Sequence, residues 1–445
     1  MNQEQLLEGL KEFLRIPSVS TLPEHKPDIR RAADFVAREL RNAGMSLVEL
    51  IEGDGNPMVY AEWLEAPGKP TILCYGHYDV QPPDPLDEWK SPPFDPEVRG
   101  EDIFARGACD DKGQTYILIK AVESCLRAGC LPVNVKFIVE GEEEVGGEHI
   151  ARYVSSYPAQ LRADAALICD TEMFAPNLPT ICVGLRGIVY GELHVEGADR
   201  DLHSGVYGGA APNPLQAAAE ILCALKDRNG HILVPGFYDR VVPPGPEERA
   251  AWERLPFDEA EYLRKEIGAS ELTGEPEFPL FDRLWARPTL EVHGIRGGFV
   301  GEGAKTVIPA RAVVKLSARL VADQNPEEAA AQLQAAVHAA CPRGVKAEFR
   351  PFHSAPPSLV DPRNFFVQRA AQAFTETFGT ETVFIRSGGS IPIVSLFEKH
   401  LGIPSVMMGF GLPDDNLHAP NEKFHLPNFF RGIEAVSRYF QILGA

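Results

Sequence analysis

The sequence predicts an α/β fold: a mostly parallel sheet interrupted by an inserted α+β domain of the ferredoxin-like sandwich type. Two observations carry this expectation. Towards both ends of the chain, short apolar runs alternate with helical stretches, which is the signature of βαβ units. In the middle, apolar and polar residues alternate one by one, as in half-buried antiparallel strands with one polar face left open.

Taken in order, residues 2–15 and 28–43 have helical periodicity, the first with Leu6, Leu7, Leu10, Phe13 and Leu14 on one side. Thr71–Tyr75 reads as a buried strand, Gln114–Arg127 as a helix, and Val133–Val139 as a strand. Glu148–Tyr157 then reads as a helix and Ala165–Cys169 as a strand. Gly187–Glu196 and Val314–Leu320 alternate strictly, with helical stretches at Pro214–Leu225 and Pro326–Ala340. Asn364–Phe378 is helical again, Ser405–Met408 strand-like and Asn428–Leu443 helical. The chain has 445 residues, against roughly 100–200 per domain. The expected division is 1–185, 186–355 and 356–445, with the middle stretch inserted and hinges at Gly184–Gly187 and Pro351–Pro357. Residues 231–290, dense in Pro and Glu, form an extra segment within the insert.

Composition narrows the function classes. Hydrophobic residues make up 44% and charged residues 24%, as in an ordinary globular protein. Lys and Arg number 43 against 63 Asp and Glu, a net charge of −20. Nucleic acid or anionic membrane as a partner would need a basic face, and the balance argues against one. The eight cysteines (Cys74, Cys109, Cys125, Cys130, Cys169, Cys182, Cys223 and Cys341) are scattered without a CxxC pair, mostly in apolar runs. That is the pattern of buried thiols in a reducing compartment. The N-terminus has neither a basic n-region nor an apolar h-region, and no apolar run reaches the roughly 20 residues of a membrane span. The expectation is a cytoplasmic protein.

Several apolar runs are followed at once by potential metal ligands. His77 and Asp79 follow the first, Asp110-Asp111-Lys112-Gly113 follows a loop closing on Gly107, Glu140-Gly141-Glu142-Glu143-Glu144 follows the next strand, and Asp170 the last. Asn416-Leu417-His418-Ala419-Pro420-Asn421-Glu422 adds a further group near the C-terminus. Sites in open α/β sheets form beyond the carboxyl ends of strands, so these residues should converge. Singly, each has an ordinary explanation: a hydrogen-bonded histidine, or acids capping a helix and suiting its dipole. Together they make an acidic cluster that repels itself unless cations neutralise it. Two imidazoles with several carboxylates suit zinc, manganese or cobalt.

These residues resemble a known family, the two-metal peptidases and deacylases that include carnosinase, cytosolic non-specific dipeptidase, carboxypeptidase G and succinyl-diaminopimelate desuccinylase. The likeness runs through Gly76–Val80, Gly107–Gly113 and Glu140–Glu144. Asp201–Gly209 and Gly303–Pro309 look like the dipeptidase branch. Position 142 departs from the pattern, with Glu where relatives often carry an uncharged residue. The resemblance implies two divalent ions per chain, Zn2+ first, with Mn2+ or Co2+ as alternatives. It implies Asp110 as the bridge, His77 and Asp170 on one ion, and Glu144 and His418 on the other. Asp79 would orient His77, and the Asp110–Asp111 peptide would be cis. A water shared by the ions would attack the amide carbonyl, with Glu143 as general base. His203, supplied by a partner subunit, would bind the oxyanion. Arg319, Thr306, Gly389 and Ser390 would grip a terminal carboxylate. The implied function is a dipeptidase acting on short peptides, with the insert serving as lid and homodimer interface. The alternative is a deacylase of N-acylated amino acids.

Overall fold

The computed structural model describes residues 2–129 and 131–445, so Cys130 lies outside the described residues. The chain forms two compact units. The first comprises the chain up to Val183, Val360–Ile385 and Pro392–Ala445. Its strands are ordered Leu47–Ile51, Met58–Trp63, Asn134–Glu140, Thr71–His77, Ala165–Ile168, Ser405–Met408 and Thr180–Leu185. The four from Asn134–Glu140 to Ser405–Met408 pair in parallel, through crossovers that carry helices. The flanking strands pair antiparallel, so the sheet is mixed. Leu47–Ile51 and Met58–Trp63 are joined only by residues 52–57, too few for a parallel crossover of a dozen or more.

Helices cover this sheet because their apolar residues recur at helical spacing. Lys26–Ala43 buries Ile29, Ala32, Ala33, Val36 and Leu40. Lys112–Arg127 is buried almost all round, since Gln3–Leu14, Lys26–Ala43 and Leu426–Gly444 pack over it. Phe13 stacks on Phe35 with ring centroids 4.6 Å apart. Each such large apolar side chain contributes about 1.5–3 kcal/mol by leaving water. Cys74, Cys109 and Cys169 lie in this core, whereas Cys223 is exposed. No helix among the described residues is long and apolar enough to cross a membrane.

The second unit comprises Gly184–Leu359 and Arg386–Ile391. Its antiparallel sheet is ordered Thr289–Gly297, Arg311–Leu320, Gly187–Glu196, Lys346–Ala355, and it has its own apolar core. With helices Pro214–Leu225 and Pro326–Ala340 the chain order is strand, helix, strand, strand, helix, strand, the ferredoxin-like arrangement. Both helices start at Asn-Pro: Asn213 accepts from the Leu215 N–H at 3.0 Å and Asn325 from the Glu328 N–H at 2.9 Å. The expected hinge at Pro351–Pro357 is in fact largely strand. Pro351 sits in Lys346–Ala355, at a register shift on a sheet edge, where a missing N–H breaks no ladder.

Candidate metal centre

Strand register brings the ligands together. His77 is the last residue of Thr71–His77 and pairs with Glu140, while Tyr75 pairs with Ile168. Three parallel strands therefore finish at one level, and the loops leaving them share one end of the sheet. The Glu143–Val145 turn comes after one and Asp170 after another. Asp110 and Asp111 precede helix Lys112–Arg127, and the peptide between them is cis. The loop before them turns on Gly107, whose φ of 82° and closeness to Val80 leave no room for a Cβ.

The ligand atoms fall into two groups. Those of His77, Asp111 and Asp170 lie within 4.8 Å of one another, and so do those of Asp110, Glu144 and His418. Asp110 spans the two: its Oδ1 is 3.1 Å from His77 Nε2 and its Oδ2 2.9 Å from His418 Nε2. Glu144 Oε2 is 3.4 Å from His418 Nε2. Asp111 is an addition to the expected set. Its Oδ2 accepts from Thr115 Oγ1 at 2.7 Å and from the His77 peptide at 3.2 Å.

A surrounding layer fixes these groups. Asp79 is fully buried, and its Oδ1 and Oδ2 accept from the peptides of Glu143 and Glu144 at 3.3 and 3.2 Å. Its Oδ1 also lies 3.4 Å from His77 Nδ1, while the backbone oxygen of Asp79 is nearer, at 3.1 Å. Gln81, which the sequence alone does not single out, donates to Glu144 Oε2 at 2.8 Å. Glu142 belongs to neither of these groups. It accepts from the Asn56 N–H at 2.7 Å and the His149 N–H at 3.2 Å, tying a surface loop to the start of helix Glu148–Ser156.

The electrostatics call for cations. Burial, with repulsion from Asp110, pushes the Glu144 carboxyl up to about 8. Burial and neighbouring aspartates push Asp170 well above the usual carboxylate range, and Glu143 is raised mainly by burial. Burial also acts on Asp110, but the His418 and His77 imidazoles outweigh it and hold that carboxyl low. Asp111 Oδ1 is buried without a hydrogen-bond partner among the described residues, and His77 Nε2 faces the Asp110 carboxylate at 3.1 Å. Buried polar atoms are ordinarily satisfied. A dense set of imidazole and carboxylate donors with a buried, unpartnered carboxylate oxygen fits divalent cations.

The remaining expected residues lie in the second unit, in two places. Arg319 Nη1 donates to Ser390 Oγ at 2.9 Å, and Ser390 belongs to a turn in which the Gly389 carbonyl accepts from the Arg186 N–H at 3.1 Å. A Cβ on Gly388 would lie 2.6 Å from Arg186 Nη2, so the turn packs closely against the end of that side chain. His203 and Thr306 lie elsewhere in the unit: His203 pairs with Val307, and the Thr306 carbonyl accepts from the Ser204 N–H at 3.0 Å. Exposed His203 accepts from the Gly205 N–H through Nδ1 at 3.0 Å, so a neutral ring carries its proton on Nε2.

Fold and site together define the class, a metal-dependent peptidase with a sheet-borne ligand cluster and an inserted four-stranded domain. The sequence matches the profile of peptidase family M20/M25/M40 over residues 73–441, and the chain belongs to that family. Cys-Gly metallodipeptidase dug1 of Schizosaccharomyces pombe is 33% identical over 460 residues, covering 100% of this chain and 96% of the relative. Beta-Ala-His dipeptidase of Homo sapiens is 32% identical over 470 residues, covering 99% and 90%. The crystal structure of the M20 family metallo-carboxypeptidase Sso-CP2 from Sulfolobus solfataricus matches with a TM-score of 0.88 at 32% identity, over 100% of both chains.

Proposed function

We propose that this metallopeptidase is a cytoplasmic, zinc-dependent dipeptidase that cleaves the amide bond of short peptides bearing a free C-terminal carboxylate. The observation that carries it is Asp110, placed between two imidazole–carboxylate groups. His77, Asp110 and Asp170 would hold one ion, and Asp110, Glu144 and His418 the other. Bound there, two divalent cations supply Lewis-acid polarisation of a carbonyl and an activated water. Glu143 takes the water's proton and passes it to the departing amine, a role suited to a half-buried carboxyl of raised affinity for protons. Asp79 holds the peptides of Glu143 and Glu144, so base and ligand stay in register.

Residues 186–355 act as lid and homodimer interface, flanked by the catalytic stretches 1–185 and 356–445. Arg319, Ser390 and Gly389 grip the peptide's terminal carboxylate, and the half-buried guanidinium has no acidic partner among its described hydrogen bonds. Thr306, which lies beside His203 and away from Arg319, donates to the same carboxylate from the partner subunit, as His203 stabilises the oxyanion from there. Relatives named as dipeptidases along nearly their whole length support this branch, and buried thiols support a reducing compartment. A panel of dipeptides against N-acetyl and N-succinyl amino acids tests the reading. Turnover confined to the acylated amino acids would establish the deacylase alternative.

A further inference from the structure

The loop carrying His418 is gripped from inside by Glu422. This side chain is fully buried and accepts four hydrogen bonds. Its Oε2 takes Arg106 Nη1 and the Gly107 peptide, both at 2.8 Å. Its Oε1 takes the peptides of Cys109 and Asp110 at 3.0 and 3.1 Å. A carboxylate has roughly four acceptor positions, so no lone pair is left for a cation. Arg106, 1% exposed, also donates through Nη2 to Pro82 O at 3.3 Å and Ala419 O at 3.2 Å. One buried ion pair thus joins the stretch after His77, the loop bearing Asp110, and the loop bearing His418.

The His418 loop needs such a grip. Asn416, His418 and Asn421 all have left-handed backbones, with φ of 55°, 60° and 61°. Such conformations are unfavourable for residues other than glycine and persist only where the surroundings over-determine them. Asn421 adds an outer tie, accepting from the Lys90 N–H at 2.9 Å and donating to Glu88 O at 2.8 Å.

We propose that Glu422 and Arg106 are positioning residues that preset Asp110 against His418, so that the ion held by Asp110, Glu144 and His418 depends on them more than its neighbour does. The inference rests on the two-metal reading. Loosening Glu422 frees two of that ion's three protein ligands but only the shared Asp110 of the other. Outer partners of this kind are worth roughly 10–100-fold in metal affinity. An ion pair that serves stability alone would lower the melting temperature without distinguishing the two ions.

The experiment is a Co2+ titration of the full chain, followed by visible absorption and calorimetry, with His418→Ala and His77→Ala marking each ion's signal. Glu422→Gln should weaken the His418-dependent ion by about 10–100-fold and the His77-dependent ion far less. Arg106→Lys keeps a cation beside Glu422 but loses the fork to Pro82 and Ala419. It should show the same selective loss, smaller in size, should Glu422→Gln not fold. Wild-type affinity for both ions in a folded variant, or equal loss of both, would overturn the inference alone. Uptake of a single Co2+ by the unmodified protein would overturn the two-metal reading as well.

Discussion

Replacing Glu143 by Gln isolates the chemistry from the metal centre. The Glu143 peptide is held by Asp79 Oδ1 at 3.3 Å through the backbone, which the substitution leaves untouched. What changes is one half-buried carboxylate whose proton affinity is raised by desolvation and by the charges of Asp110 and Asp79. General-base catalysis contributes about 10²–10⁴-fold, so kcat should fall at least a hundredfold, equivalent to ~2.7 kcal/mol. Both ions should stay bound. Glu144→Gln should behave differently, because its Oε2 is shared by Gln81 at 2.8 Å and His418 at 3.4 Å. There an amide would remove an anionic ligand, and one ion should be lost or weakened. Steady-state kinetics with elemental analysis of both variants is the assay. An exchange of the two phenotypes would refute the reasoning, since it would shift base and ligand by one residue.

Other outcomes rest on the same geometry. Arg319→Ala should raise KM for free dipeptides far more than for C-terminally amidated ones, on the order of 2–5 kcal/mol for a buried charge contact; equal damage to both would mean Arg319 only braces the Ser390 turn. Mixing His203→Ala with Glu143→Gln subunits should restore activity if His203 acts across a dimer, because one site then carries neither defect. No recovery, with subunit exchange verified, would rule out that trans role. Glu142→Ala should lower stability by about 1–3 kcal/mol through its lost bonds to the Asn56 and His149 peptides, with kcat retained; a collapse of kcat at unchanged melting temperature would contradict this.

The first unit was legible because its strands are short apolar runs followed directly by candidate metal ligands. Parallel register then does the assembling, as His77 opposite Glu140 illustrates. The outer strands were less legible. Thr289–Gly297 is an edge strand exposed along most of its length, and its alternation is short, broken at the register shift between Val292 and Gly294. Pro351 looked like a hinge because a proline's local preference says nothing about whether its missing N–H faces a partner or the sheet edge. In the site, acids were found by clustering, and their surroundings were not. Asp111 reads as a helix cap in any sequence, and Gln81 carries no charge to draw attention. Glu422 lies far along the chain from the Gly107–Asp110 peptides it binds, which is a tertiary fact. The Glu at 142 was a departure from the family pattern, and its bonds to Asn56 and His149 account for it without any role in the chemistry.

Asp110 is proposed to bridge two cations held by the carboxylates and imidazoles gathered around it. Elemental analysis of the purified protein, paired with peptidase assays before and after chelation, tests it most directly. The expected result is close to two divalent ions per chain, loss of activity on chelation, and recovery when zinc or manganese is returned. Full peptidase activity in protein shown to be metal-free would contradict it.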